Sequence, residues 1–218
     1  MEKRKASLLS SLSMVSFDVD GTLFRKAALT QAARSLGIGE KWDSLHEMYH
    51  HRRITLRDCL ASQYKLLQGM KLEDVLREVS KVEVIKNVRE TVEKLQGHRI
   101  RVILLTDNPD FLCAYLIERF GFEGYIGSKV GVRNGIVTGE IETLPDKRLG
   151  LRKYCAWTGI PPSRCAHVGD WINDIPVFRI VRYSIALNAK GPKIKAAASH
   201  SIDTEDLLDV YKHLQTTP

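Results

Sequence analysis

Apolar positions recur along this chain with two different periods. Residues 12–17 form an apolar segment that reads as a buried strand and runs directly into Asp18. Residues 27–86 read as helix almost throughout. Ala28, Leu29, Ala32, Ala33 and Leu36 fall at helical spacing and stop at Gly37. Leu45, Met48 and Tyr49 mark a second helix. Thr55 caps a third, with Leu56, Cys59, Leu60, Tyr64 and Leu67 on one face and Gly69 beyond its end. A fourth follows at Leu72, Val75, Leu76 and Val79.

After that block, strands and helices alternate. Val88, Val92 and Leu95 mark a helix that ends near Gly97. Residues 100–105 are a continuous apolar run, as expected of a strand covered on both faces. Pro109 opens a helix that Gly121 ends. Residues 130–132 and 136–137 flank Arg133-Asn134-Gly135, where Asn-Gly signals a tight hairpin. Asp146 caps a helix running to Gly159. Residues 166–168 are a short strand, 175–180 a helix, 183–187 another strand and 204–214 a final amphipathic helix. This alternation predicts an α/β fold, a parallel sheet with right-handed crossovers. The helical block between the first two strands is then an insert. The expected division is a core of residues 12–24 and 87–218, with a helical cap of residues 25–86 over the strand tips.

Bulk composition changes this picture little. The chain has 218 residues, 44% hydrophobic and 27% charged, which is enough for one large domain or a domain with an insert. It has no apolar run of the roughly 18 residues that a membrane-spanning helix needs, and no membrane partner is expected. Met1-Glu2-Lys3-Arg4-Lys5 precedes a short apolar stretch that Ser10, Ser11 and Ser13 break, so it reads as a basic, frayed terminus and not as a signal peptide. Cys59, Cys113, Cys155 and Cys165 show no CxxC spacing and no paired histidines, which makes reduced thiols in the cytoplasm the default. The formal net charge of +7 serves either solubility or the attraction of an anionic substrate. Aromatic residues are 7% of the chain and no nucleic-acid module is visible, so no nucleic-acid partner is expected. The oligomeric state leaves no trace in the sequence.

Chemistry gathers where the strands should end. Asp18 and Asp20 follow the first strand, and the chain turns at Gly21, so both carboxylates can converge on its tip. In open α/β sheets ligands bind at that tip. Two close carboxylates repel each other unless a metal or a proton offsets them; taken alone, Asp-Gly is also an ordinary turn dipeptide. Thr106-Asp107-Asn108 follows the second strand, Pro145-Asp146-Lys147-Arg148 follows the hairpin, and Gly169-Asp170-Trp171-Ile172-Asn173-Asp174 follows the 166–168 strand. Each segment alone has a plain structural reading: a strand end, a solvated lysine, a helix cap. All of them in this order, each after a strand, fit magnesium-assisted phosphoryl transfer. Magnesium takes a few carboxylates plus substrate phosphate oxygens. Lys147 offsets the remaining charge, and Thr106 with nearby backbone N–H groups donates hydrogen bonds.

At these residues the chain resembles the haloacid dehalogenase superfamily. Its motifs match as Phe17-Asp18-Val19-Asp20-Gly21-Thr22-Leu23, Leu104-Leu105-Thr106-Asp107-Asn108, Lys147, and Gly169-Asp170-Trp171-Ile172-Asn173-Asp174. The likeness runs from about Val15 to Leu214. The insert, the Asn134-Gly135 hairpin and Asn188-Ala189-Lys190-Gly191-Pro192-Lys193 resemble the phosphoserine phosphatase branch. The resemblance implies a Rossmann-like three-layer core with a small helical cap, and a magnesium-dependent phosphatase of a small phosphomonoester. It implies that Asp18 is the nucleophile, that Asp20 is the general acid and base, and that Asp18, the Asp20 carbonyl and Asp170 hold Mg2+. Thr106 and Lys147 would hold the phosphoryl group, Asp174 would orient Lys147, and Asn173 and Asn108 would support the site. The second Asp favours a phosphatase over a dehalogenase, since a leaving halide needs no acid. A phosphotransferase or phosphomutase of the same fold remains the rival enzyme, and a non-catalytic regulatory protein the rival from another class.

The chain departs from that branch in its substrate-facing positions. The glutamate that meets the phosphoserine ammonium corresponds to Ala27, the arginine that meets its carboxylate to Gln63, and the Ser-Gly-Gly style motif to Thr106-Asp107-Asn108. The insert offers cations instead: Arg25, Lys26, His50, His51, Arg52, Arg53 and Arg57. They read either as a solvated face or as partners for a second anionic group of the substrate. Arg25 is the first choice among them, and joins Thr106, Asp107 and Lys147 as a substrate-binding candidate.

Overall fold

Met14, Val15, Ser16 and Phe17 form the first strand, and all four are buried because helices cover both faces of the sheet they join. The computed structural model describes residues 7–218; the reading of Met1–Lys5 as a basic terminus lies outside the described residues. In chain order the elements are β1 (Met14–Phe17), α1 (Ala28–Ser35), α2 (Gly39–His50), α3 (Leu56–Lys65), α4 (Leu72–Ser80), α5 (Val88–Gly97), β2 (Arg101–Pro109), α6 (Asp110–Phe120), β3 (Tyr125–Arg133), β4 (Ile136–Glu142), α7 (Lys147–Thr158), β5 (Cys165–Gly169), α8 (Ile175–Phe178), β6 (Tyr183–Leu187), α9 (Pro192–Ala197), β7 (His200–Ile202) and α10 (Leu208–Thr216). Among the described residues, no helix is long and apolar enough to cross a membrane.

The strands form one seven-stranded sheet in the order β4-β3-β2-β1-β5-β6-β7. Every neighbouring pair is parallel except the β3–β4 hairpin. Its turn is built on Asn134 and Gly135, with φ of 51° and 75°, the left-handed values that Asn-Gly adopts readily. Side-chain alternation assigns the two faces. Val15 and Phe17 of β1, Val102 and Leu104 of β2, and Ala166 and Val168 of β5 enter the larger apolar cluster with Val92 of α5, Leu116 of α6 and Val210 of α10. Met14, Ile103, Leu105 and Cys165 point the other way and meet Leu151 and Cys155 of α7 and Val177 of α8. The result is helix, sheet and helix in three layers.

The helices α1 to α4 sit between β1 and β2 in the chain. Ala28, Ala32, Trp42, Tyr64, Leu67, Val75 and Val79 belong to the same apolar cluster as β1. The insert therefore packs continuously with the sheet's own core. From β1 the chain steps one way to β2 and β3, while β5, β6 and β7 extend the other way. The tip of β1 thus lies at the switch point where such sheets bind ligands.

Several boundaries differ from the sequence expectation, each for a local reason. One 3-10 turn, Leu8–Ser11, precedes β1, which starts at Met14. Strand β2 continues past Leu105 to Pro109, and Pro109 caps α6 with φ −66° and ψ 153° instead of starting it. The expected helix 175–180 is a 3-10 turn, Ile172–Asp174, followed by the short α8. Helix α10 begins at Leu208 and not at 204. There the Thr204 hydroxyl accepts the Asp206 N–H at 3.1 Å, and Asp206 Oδ1 accepts the Leu208 N–H at 2.9 Å. These side-chain bonds give the backbone an alternative to helix. Helix α9 and strand β7 were not expected, and both are too short to carry a period.

Candidate active site

The turn after β1 is closed by its own backbone. Leu23 and Phe24 donate to the Val19 carbonyl, and Gly21 donates to that of Phe24. Gly21 has φ +80°, and a Cβ there would overlap the Asp170 carboxylate. Both the left-handed backbone and the close approach require glycine. The turn brings Asp18 and Asp20 to the same region and leaves room for Asp170 at the tip of β5.

Lys147, the first residue of α7, is buried between two of these acids. Its Nζ lies 2.8 Å from Asp18 Oδ1 and 2.7 Å from Asp174 Oδ1. Asp174 is fully buried and further held: Oδ1 accepts from His167 Nε2 at 3.1 Å and Oδ2 accepts the Trp171 N–H at 3.1 Å. Asp20 has different company. Its Oδ1 accepts the Ala28 N–H at 2.8 Å, at the start of α1, and its Oδ2 accepts from Asn108 Nδ2 at 3.0 Å. Thr106 Oγ1 accepts twice from Asn108, from the backbone N–H at 3.2 Å and from Nδ2 at 3.0 Å. Its own hydroxyl hydrogen is therefore the one left to donate.

Electrostatics separates these carboxyls. Burial raises Asp18 well above the usual carboxylate range; Lys147 lowers it, while Asp174 and Asp170 raise it further. Burial also raises Asp20, opposed by the hydrogen bonds from Ala28 and Asn108. Asp170 is pushed up to about 7 by burial and by the Asp174 charge. Burial alone would raise Asp174, but Lys147 and His167 outweigh it and hold this carboxyl well below the usual range. Lys147 is desolvated, yet Asp174, Asp18 and Asp107 together keep its ammonium charged.

Oxygens of Asp18, Asp170 and Asp174 lie within 4.8 Å of one another. Asp174 is committed to Lys147, His167 and Trp171, whereas Asp18 and Asp170 retain a charge excess that burial makes costly. The Thr22 hydroxyl donates to Asp170 Oδ1 at 3.4 Å and helps fix its direction. A hard-oxygen donor set with surplus negative charge fits a divalent cation of the magnesium type.

A cavity of about 180 Å³ adjoins this cluster. Asp107, Lys147 and Asn173 line it from the sheet side, and Leu56, Arg57 and Leu60 line it from α3. Tyr64 of α3 donates its hydroxyl to the Asp107 carbonyl at 2.8 Å, which ties the insert to the tip of β2. Asn173 Nδ2 donates to Asp107 Oδ2 at 2.7 Å, and Asn173 Oδ1 is buried with no partner among the described residues. Burial raises the Asp107 carboxyl.

The structure thus brings together Asp18, Asp20, Thr106, Asp107, Asn108, Lys147, Asp170, Asn173 and Asp174. Arg25 stands apart from them. Its guanidinium pairs with Glu205 at 2.9 Å, and it lines a different groove with Lys26 and Arg34. Of the cations in the insert, Arg57 is the one lining the cavity. Two buried partners escaped sequence reasoning: His167, and Ser16, whose hydroxyl lies 2.9 Å from His167 Nδ1. The available signal was a histidine inside an otherwise apolar strand, directly before Gly169-Asp170.

Comparison with known proteins agrees with this geometry. The sequence model described as haloacid dehalogenase-like hydrolase matches residues 15–179. A phosphoserine phosphatase of Methanocaldococcus jannaschii is 25% identical over 219 residues, covering 99% of this chain and all of the relative. A phosphoserine phosphatase of Halobacterium salinarum is 25% identical over 202 residues, 90% of this chain and 95% of the relative. Among solved structures, a phospho-aspartyl intermediate analogue of phosphoserine phosphatase aligns with a TM-score of 0.77 at 24% identity, over 93% of this chain and 98% of that one. A HAD family hydrolase from Salmonella enterica serovar Typhi aligns with a TM-score of 0.84 at 18% identity, over 93% and 70%. At these identities the structural likenesses speak for the fold.

Proposed function

The chain belongs to the haloacid dehalogenase-like hydrolase family, and we propose that within it the protein is a magnesium-dependent phosphatase of small phosphomonoesters, with Asp18 as the residue that is phosphorylated. The observation that carries this reading is the unequal treatment of two neighbouring carboxyls. Asp18 is paired with Lys147, which favours an anionic nucleophile. Burial raises both carboxyls, but Asp20 is hydrogen-bonded by neutral donors, the Ala28 N–H and the Asn108 amide, which favours a carboxyl able to carry a proton.

In the first step an Asp18 oxygen bonds to phosphorus as the ester P–O bond breaks, and Asp20 gives its proton to the departing alkoxide. In the second step water attacks the phosphorylated Asp18 and gives a proton to the Asp20 carboxylate. Phosphate leaves and the Asp18 carboxylate is restored. Thr106 and Lys147 hold the phosphoryl oxygens throughout, and Asp174 anchors Lys147. Asp18, the Asp20 carbonyl and Asp170 would hold Mg2+, which when bound screens the repulsion between nucleophile and phosphoryl group.

Ala27, Gln63 and Arg57 bear on the substrate class. Ala27 has no polar side chain, and Gln63 is buried with its Nε2 donating to the Trp42 carbonyl at 3.1 Å. Arg57 lies beside the same cavity as Lys147. These features support a phosphomonoester with a second anionic group, recognised by Arg57 in place of the Arg25 that sequence favoured. The reading includes a cytoplasmic setting, which four free, buried cysteines support.

The test is phosphate release over phosphoserine, phosphoglycolate, sugar phosphates and nucleotides, with Mg2+ or a chelator, beside Asp18→Asn. Release that needs Mg2+ and vanishes in Asp18→Asn is the expected result. Absence of release from every compound, with transfer of phosphate to an added alcohol, would instead establish a phosphotransferase.

A further inference from the structure

We propose that His167 is a positioning residue of the active site, acting through Asp174 to hold Lys147 against Asp18. The inference rests on the reading of Asp18 as nucleophile. His167 is in the middle of β5, where its neighbours Ala166 and Val168 enter the apolar cluster on one face of the sheet. The imidazole points to the opposite face and is fully buried. Its ring meets that of Phe178 with centroids 5.7 Å apart. A polar ring in such a place is costly unless both its nitrogens are engaged.

Both are engaged. Nε2 lies 3.1 Å from Asp174 Oδ1. The carboxylate can only accept, so Nε2 carries the proton. Nδ1 then accepts from the Ser16 hydroxyl, 2.9 Å away. Ser16 is on β1, two positions before Asp18. The ring therefore spans from the strand that delivers the nucleophile to the turn that delivers Asp174. The same Asp174 oxygen also accepts from Lys147 at 2.7 Å, and Lys147 reaches Asp18 at 2.8 Å. Ser16, His167, Asp174, Lys147 and Asp18 thus form one buried chain of contacts.

The chain has a direction. With His167 in place, Asp174 Oδ1 shares its negative charge between two donors, and the ammonium stays balanced between Asp174 and Asp18. Removing the imidazole donor leaves Asp174 more dependent on Lys147. The ammonium is drawn away from Asp18, whose anionic form then loses its main favourable charge. The ring touches neither substrate nor reacting atoms, so its effect falls on the rate of phosphorylation more than on substrate capture.

The experiment compares His167→Leu, His167→Gln, Asp174→Asn and the double variant His167→Leu/Asp174→Asn, using p-nitrophenyl phosphate and Mg2+. In His167→Leu, kcat falls about 10- to 100-fold, as for the loss of other orienting partners, with KM changing much less. The glutamine amide places a donor near the lost Nε2, so His167→Gln regains most of kcat. In the Asp174→Asn background His167→Leu adds little, because the two residues act as one unit. The 15N resonance of the Lys147 ammonium shifts in His167→Leu. A folded His167→Leu with unchanged kcat, equal loss in the glutamine variant, or full additivity of the two substitutions would each overturn the proposal. If neither His167→Leu nor His167→Met folds, the ring is a core support and the proposal is likewise overturned. A wild type inactive on every phosphomonoester sinks the phosphatase reading alone. The Lys147 resonance then decides: a shift in His167→Leu upholds the positioning role, and an unmoved signal removes it.

Discussion

Asp18 and Asp20 are two positions apart, yet their side chains meet opposite surroundings. Lys147 faces the first, and a backbone N–H and an amide face the second. That the pair mattered was visible in the sequence, because two acids after an apolar strand are expensive without a purpose. Which cation of the insert faces the cavity was not. Arg25 is close to Asp20 along the chain, but its N–H donates to the Glu83 carbonyl and its side chain turns to Glu205. Arg57 is distant in sequence and lines the cavity from α3, which Tyr64 ties to the tip of β2. His167 and Ser16 stayed hidden for a similar reason: they meet each other across two strands. Arg57→Ala should raise KM about 10- to 100-fold for substrates with a second anionic group, the worth of a charge-assisted hydrogen bond. Steady-state kinetics on such a substrate and on p-nitrophenyl phosphate checks it. An equal change for both would show that Arg57 does not read the second anion.

The elements that carry the site differ in how legible they were. Helices α1 to α4 announced themselves through apolar spacing and, in α3, through Thr55 as its cap, which the structure completes as a capping box with Asp58. The longer hairpin and the extension of β2 to Pro109 depend on pairing with β3, which no single segment reveals. The turn between β1 and α1 is the element with the least tolerance. It must leave β1, present two acids, and let Ala28 at the start of α1 bind Asp20. Gly21→Ala puts a methyl group into the space of the Asp170 carboxylate and strains a backbone with φ +80°. Asp170 would have to turn away. The Mg2+ concentration for half-maximal activity should therefore rise about 10- to 100-fold, the usual effect of disturbing a ligand's orientation. A magnesium titration of activity tests this, and an unchanged midpoint would mean that Asp170 is not a ligand.

At the scale of the whole molecule, the switch point of the sheet concentrates negative charge in a place that folding alone does not favour. The α/β alternation made the sheet predictable, but the cost of its central site appears only when the acids are seen together and buried. Asp170 is pushed up to about 7, against about 3.9 for an aspartate in an unfolded chain. Between those values the folded protein binds more protons than the unfolded one, so stability falls as pH rises. Asp18, also raised, acts in the same direction. Asp174 is depressed; its stabilisation is present above the unfolded value and is lost only at acid pH, so it does not cancel the trend. Chelator-treated protein should therefore melt lower at pH 8 than at pH 5. A cation that binds only the folded state restores stability by mass action. Millimolar Mg2+ should then raise Tm more at pH 8, where Asp170 is ready to ligate, than at pH 5. Asp170→Asn should melt higher than wild type in chelator at pH 8 and respond weakly to Mg2+. Thermal unfolding of both proteins at the two pH values decides the matter: an equal magnesium shift at pH 5 and pH 8 would mean that the cation is held elsewhere than on these buried acids.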